Sequence, residues 1–361
     1  MNKRLLRDRF RGCLVGGAAG DALGYPVEFQ HETEIRSRYG TFGIAGYDLF
    51  KGFDKALVTD DTQMTLFTAG GLLRCAALRQ SGELLPEQEC IRRAYLDWLF
   101  TQQNEFAPHP FRKVQGSDLP ESDGHFVPRL MEERWLYARR APGNTCLTAL
   151  GSGGQGSFSA PLNNSKGCGG IMRTAPAGLY AASPEEAMLL GAEAAVLTHG
   201  HPLGYMPAGV LSYLVYGAAK TDQPLETVTA HALDAADRLF EKIPAAKPYL
   251  PALRNLTERA LRFAADDTCT DHEAIAALGE GWVGEEALAV ALYCALRYQD
   301  DFDGCLIAAV NHDGDSDSTG AIAGNILGAR LGLSGIPAAF TASLEGVPLL
   351  CETADALLAL E

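Results

Sequence analysis

Several things missing from this sequence narrow what it can be. Alternating, β-branched segments are nearly absent, which argues against a core built from sheets. No run approaches the roughly 18 to 20 consecutive apolar residues that span a bilayer. Positive charge is scarce: 30 Lys and Arg stand against 45 Asp and Glu, a formal net charge of −15. That balance argues against a general nucleic-acid or anionic-membrane surface, so a phosphate-bearing ligand would need local help. The nine cysteines form no Cys-x-x-Cys pair and no zinc-type spacing with histidine, as expected for reduced thiols. In the opening stretch, Gly16, Gly17, Gly20 and Asp21 interrupt the apolar run that a signal peptide requires. The expectation is a soluble, cytoplasmic monomer.

What is present is helical periodicity. EQECIRRAYLDWLF (87–100), PEEAMLLGAEAAVLTHG (184–200), LETVTAHALDAADRLFEKI (225–243) and GEEALAVALYCALRYQ (284–299) all repeat apolar residues three or four apart. Ser183 followed by Pro184 reads as an N-cap with proline at the first helical position, and Gly200 is placed to end that helix. The fold class expected is all-α, a compact bundle of many helices forming one domain over 1–361. Two polar segments, 102–128 and 150–170, are expected to be specificity loops. AGDALG (19–24) and AGNILG (323–328) share glycines four apart; on helices, Gly20 and Gly24, or Gly320, Gly324 and Gly328, would share a face and admit a neighbouring backbone.

Two acidic groups each precede an apolar helix: Thr59, Asp60 and Asp61 in one, Asp313, Asp315 and Asp317 with Ser316 and Ser318 in the other. Alone, each reads as a helix cap. The second is not a calcium loop: counted from Asp313, position six is Ser318 rather than glycine, and position twelve is Gly324 rather than glutamate. Converging with Glu28, the four aspartates at 60, 61, 315 and 317 would carry about five negative charges, which cannot stay ionised in one cleft without cations. Two divalent ions nearly balance them, and all-oxygen donors favour Mg²⁺ or Mn²⁺ over zinc.

The segments RFRGCLVGGAAGDALGYPVEF, TDDTQMT, RRAPGNTCLTAL, SKGCGGIMRTAPAGL, LTHGHP, GWVGEEALAVALYCAL and NHDGDSDSTGAIAGNILGA jointly and in this order resemble the ADP-ribosylglycohydrolases over nearly the whole chain. The resemblance implies an all-α orthogonal bundle with a two-metal cleft. It places the metal ligands at Thr59, Asp60, Asp61, Asp315, Asp317 and Ser318, the last a serine where many relatives have threonine. Glu28 matches a catalytic or gating glutamate, with Asp61 as its partner in proton transfer. Lys166, Gly167, Cys168, Gly169, Gly170 and Arg173 match a phosphate and distal-ribose loop, with Cys168 where many relatives have asparagine. Met172 is grouped with that loop, its alternative being a core residue. His199 matches a histidine near the bound nucleotide, and Asp313, where relatives often have glycine, is expected to cap or support the ligands.

The activity so implied is metal-dependent hydrolysis of the bond between ADP-ribose and a modified protein side chain, arginine favoured. The partners are an ADP-ribosylated protein and ADP-ribose, with neither nucleic acid nor membrane. Three alternatives remain open at this point: a serine- or O-linked specificity, a non-catalytic structural protein such as the lens crystallin of this fold, and a phosphoesterase acting on a nucleotide diphosphate.

Overall fold

The computed structural model describes residues 2–107 and 126–361. The central part of the segment 102–128 lies outside the described residues. Among those described, regular structure is helical throughout, and extended backbone pairs only at two isolated bridges, Ala56 with Leu344 and Gly167 with Val283. The helices that build the site are α1 (Lys3–Gly24), α2 (Asp60–Gln80), α3 (Glu87–Gln103), α4 (Asn144–Gly151), α5 (Pro184–Val196), α6 (Pro202–Lys220), α7 (Gly284–Arg297) and α8 (Ser316–Leu331). The all-α expectation is met because apolar residues recur at helical spacing almost everywhere.

Helices α1 and α8 run antiparallel with their backbones in contact. A Cβ added at Gly12, Gly16, Gly20 or Gly24 would overlap backbone atoms of Gly328, Gly324, Gly320 or Ser316 in turn. The four-residue spacing puts these glycines on one stripe, and the stripe draws two helices closer than any side chain would allow. The shared pattern of AGDALG and AGNILG therefore marks two halves of one contact. Asn325 fastens it, donating to the Cys13 carbonyl at 2.8 Å.

The end of α5 departs from expectation. The helix stops at Val196 and tightens through Ala195, whose carbonyl accepts from Thr198 N and His199 N. Gly200 serves another purpose: a Cβ there would overlap the Asn163 carbonyl, so glycine lets the 150–170 segment lie against this turn. Ser183 caps α5 as expected, accepting from Glu186 N at 3.2 Å.

Glu193, on α5, is pushed up to about 7 by burial and then by the Glu87 charge. Its folded-state value exceeds that of the unfolded chain, so ionisation opposes folding, and stability falls as pH rises from about 4.3 through 7. Glu193→Gln should therefore raise stability at pH 8 by about 1–2 kcal/mol and leave it unchanged near pH 4. Denaturant melts at the two pH values check this; an equal gain at both would refute it.

Candidate active site

The C-terminal turn of α1 organises the site. Asp21, fully buried there, accepts from Thr59 N at 3.0 Å, from Thr62 N at 3.1 Å and from Thr62 Oγ1 at 2.5 Å. Its carboxylate thus fixes the N-terminus of α2, while Gly24 on the same turn receives the N-terminus of α8. Sequence reasoning missed Asp21. The signal was an acid inside a helix of otherwise small and apolar residues, which needs buried donors to be tolerated.

The two helix starts open onto a cleft of about 550 Å³. Glu28, Asp60, Asp61, Asp315, Asp317, Ser318, Gly167, Cys168, Gly169, Met172 and His199 all line it. The two acidic groups, more than 250 residues apart in sequence, form one wall. Both helix N-termini point their positive dipole ends at this wall and offset part of its charge. Asp315 caps α8, accepting from Ser318 N at 3.3 Å, and Thr59 caps α2, accepting from Asp61 N at the same distance.

The wall is electrostatically overloaded. Burial, followed by the charges of Asp315, Asp60 and Asp21, pushes Glu28 up to about 8. Asp60 is pushed to about 8 by burial, although the Gly143 N–H opposes the shift. Asp61 and Asp317 are raised well above the usual carboxylate range by burial and then by neighbouring carboxylates, and Asp21 to about 6 by burial. Two buried oxygens, Glu28 Oε2 and Asp61 Oδ2, have no hydrogen-bond partner. Such groups call for a proton or a cation. Among the described residues no three His, Cys, Asp or Glu side chains form a ready-made cation cage. Protein donors hold part of the wall: the Cys168 thiol bonds Asp315 Oδ2 at 2.6 Å, Ser318 N bonds Asp317 Oδ1 at 2.9 Å, and Gly143 N bonds Asp60 Oδ2 at 3.2 Å. Burial and the Asp315 charge keep the Cys168 thiol protonated, so it is no nucleophile.

The glycine loop adjoins this wall, meeting it at Cys168. Gly167 and Gly169 border His199, which is buried and whose Nδ1 lies 2.9 Å from Thr198 Oγ1. Burial and then Arg173 lower the imidazole to about 3, so the ring is neutral. Arg173 Nη2 donates to Thr198 Oγ1 at 2.6 Å, leaving that hydroxyl's proton for Nδ1. With the hydroxyl proton on Nδ1, the ring's own proton would sit on Nε2, which lies on the side of the glycine loop, as a neutral donor for an anion.

Five candidates lie elsewhere. Arg173 is fully buried, 4.4 Å above the Tyr95 ring, and reaches the cleft through its neighbours Cys146, Thr198 and His199. Lys166 does not line the cleft and pairs with Glu285. Gly170 packs against the Gly204 carbonyl at the start of α6, and Thr59 sits behind Asp61 as a cap. Asp313 accepts from Glu32 N at 2.5 Å, so it caps the neighbouring short helix. Among the described residues the cation that lines the cleft is Arg139, exposed near Ala141, whose φ of 47° is left-handed backbone. RRAPGN was a visible motif, but nothing in it singled out the first arginine.

The family model described as ADP-ribosylglycohydrolase matches residues 2–361. Bovine (Bos taurus) ADP-ribosylhydrolase ARH3 is 25% identical, with 94% of this chain and 89% of the relative aligned. The ADP-ribosyl-[dinitrogen reductase] glycohydrolase of Rhodospirillum rubrum is also 25% identical, over 94% and 91%. A solved ADP-ribosylglycohydrolase-related protein complex shares the fold, with a TM-score of 0.64 at 24% identity over 99% of both chains. An acidic wall adjoining a glycine loop, on a helical frame matched from end to end, leads to one conclusion: the chain belongs to the ADP-ribosylglycohydrolase family, enzymes that hydrolyse ADP-ribosylated substrates.

Proposed function

We propose that this chain removes ADP-ribose from modified arginine side chains of proteins with the help of two divalent cations, Mg²⁺ or Mn²⁺. The observation that carries the reading is one cleft lined both by crowded carboxylates and by the glycine loop with His199. The donor set that lines the cleft fits hard cations: Asp60, Asp61, Asp315 and Asp317 with the Ser318 hydroxyl. When bound, such ions neutralise the wall and hold and acidify water and ribose hydroxyls.

The residues divide the rest of the work. Backbone N–H groups of Gly167 and Gly169 and the His199 Nε2–H face the diphosphate, with Arg139 available to its charge. Glu28, on the same wall, passes a proton to the departing nitrogen as the bond to C1 of the distal ribose breaks. The water oxygen bonds to that carbon, and Asp61 takes the water's proton. Aspartates in the Asp-Ser-Asp-Ser arrangement support arginine as the modified residue, as does the acidic surround, which favours a cationic leaving group. We read the chain as a single-domain monomer acting in the cytoplasm. Nine unpaired cysteines support a reducing compartment, and no helix among the described residues is long and apolar enough to cross a membrane.

Incubation with arginine-linked and serine-linked ADP-ribosyl peptides, with Mg²⁺ or Mn²⁺ and then with EDTA, tests the reading. Free ADP-ribose and unmodified arginine are expected, and EDTA should stop their release. Release of AMP and ribose phosphate would make the protein a phosphoesterase, and absence of turnover on either linkage with metal would end the hydrolase reading for both.

A further inference from the structure

At the cleft mouth, two aromatic rings stack face to face in water. Phe29 and Trp282 have centroids 5.8 Å apart and planes inclined by 16°. Phe29 is 77% exposed and Trp282 36% exposed, and both line the cleft. Leaving so much aromatic surface in solvent forgoes the burial that such rings otherwise contribute, and paired rings on a cleft rim are a surface for a flat ligand.

Phe29 stands at the acidic end, and Trp282 where the glycine loop meets it. Phe29 directly follows Glu28. The Trp282 carbonyl accepts from Cys168 N at 3.1 Å, and the thiol of that same Cys168 bonds Asp315. Gly281, at φ +81°, lies so close that a Cβ on it would be 3.6 Å from Asp315 Cβ. The bond to be cut must sit at the carboxylates, and the nucleoside half of ADP-ribose extends away from them past the diphosphate. The rim beside Glu28 therefore meets the group on the other side of that bond.

We infer that Phe29 and Trp282 form the platform on which the guanidinium of the modified arginine lies, making this pair the element that distinguishes arginine from serine linkages. A guanidinium is flat and cationic, so it stacks on an aromatic face and is attracted by the acidic rim. A serine oxygen offers neither plane nor charge. This assignment rests on the arginine reading of the function.

The test is steady-state kinetics of Phe29→Leu and Trp282→Leu on an arginine-linked ADP-ribosyl peptide, with ADP-ribose as competitive inhibitor. Each variant should raise KM for the peptide about fivefold, with kcat and the Ki of ADP-ribose within about twofold of the parent. Trp282→Phe and Phe29→Tyr should restore the parent KM. A Ki that rises with KM would place the rings under the adenine and overturn the platform. An unmoved KM would overturn it too, and a fall in kcat alone would make Phe29 a positioning residue for Glu28 instead. If the parent cleaves serine-linked but not arginine-linked peptide, the arginine reading itself fails and takes the platform with it.

Discussion

Replacing Asp317 with asparagine is expected to destroy activity while making the cation-free protein harder to melt. Asp317 is 3% exposed and its ionised form is opposed by burial and by Asp61, Asp315 and Glu28. Without cations this is stored repulsion, and a neutral amide of the same shape relieves it. With cations the same charge becomes a ligand, and its loss should lower turnover by roughly 10²–10³-fold or more. Wild-type protein should gain melting temperature when Mg²⁺ or Mn²⁺ is added, because an ion bound only by the folded state stabilises it by mass action. Asp317→Asn should gain much less. Asp315→Ala should likewise lose bound metal and hydrolysis together. Melting curves in EDTA and in metal, beside initial rates, decide the matter: full activity in either variant, or a lower melting point for Asp317→Asn in EDTA, would contradict the site described here. The trade is the usual one between a strained site and a stable fold.

The second large effect lies away from the chemistry. Alanine at a helical glycine ordinarily stabilises by up to about 1 kcal/mol through helix propensity. At Gly20 the sign should reverse, because the new methyl would occupy the position of the Gly320 backbone. Relief requires α1 and α8 to separate, and backbone cannot move aside as a flexible side chain can. The loss should reach or exceed roughly 3 kcal/mol, the upper end of ordinary overpacking. Gly324→Ala, which meets the Gly16 backbone, should behave alike, whereas Gly46→Ala, with nothing within 4 Å, should be nearly silent. Separation would also pull Asp21 from the start of α2 and spread the two acidic groups, so surviving Gly20→Ala protein should bind cations weakly. Equal stability of the Gly20→Ala and Gly46→Ala variants would show that the helix contact is not the constraint it looks to be.

Particular residues show where reading along the chain stopped. Asp60, Asp61, Asp315 and Asp317 were legible because two acidic helix starts, each readable alone as a cap, occur together with Glu28 in one chain, and the structure brings them to one wall. Lys166 and Arg173 were selected for their charge beside a glycine loop, yet one is held by Glu285 and the other lies under Tyr95 and Thr198. Charge in a sequence does not reveal which partner claims it. Asp21 escaped notice for the converse reason: its donors are the N–H groups of a helix 38 residues away, and backbone donors leave no mark in sequence. Nothing in the sequence singled out Phe29 and Trp282, whose exposure and mutual stacking arise only in the folded chain.

The sequence by itself determined the helical class, the two acidic helix starts, the glycine stripe and the family, since each depends on local periodicity or on residue types at fixed spacing. Only the tertiary structure decided that α1 joins the two acidic groups, that His199 turns Nε2 toward the glycine loop, and that Arg139 rather than Lys166 or Arg173 borders the cleft. Those outcomes depend on which groups meet across hundreds of residues and which buried hydrogen bonds are already taken, and pairwise contact at that range is a property of the packed chain.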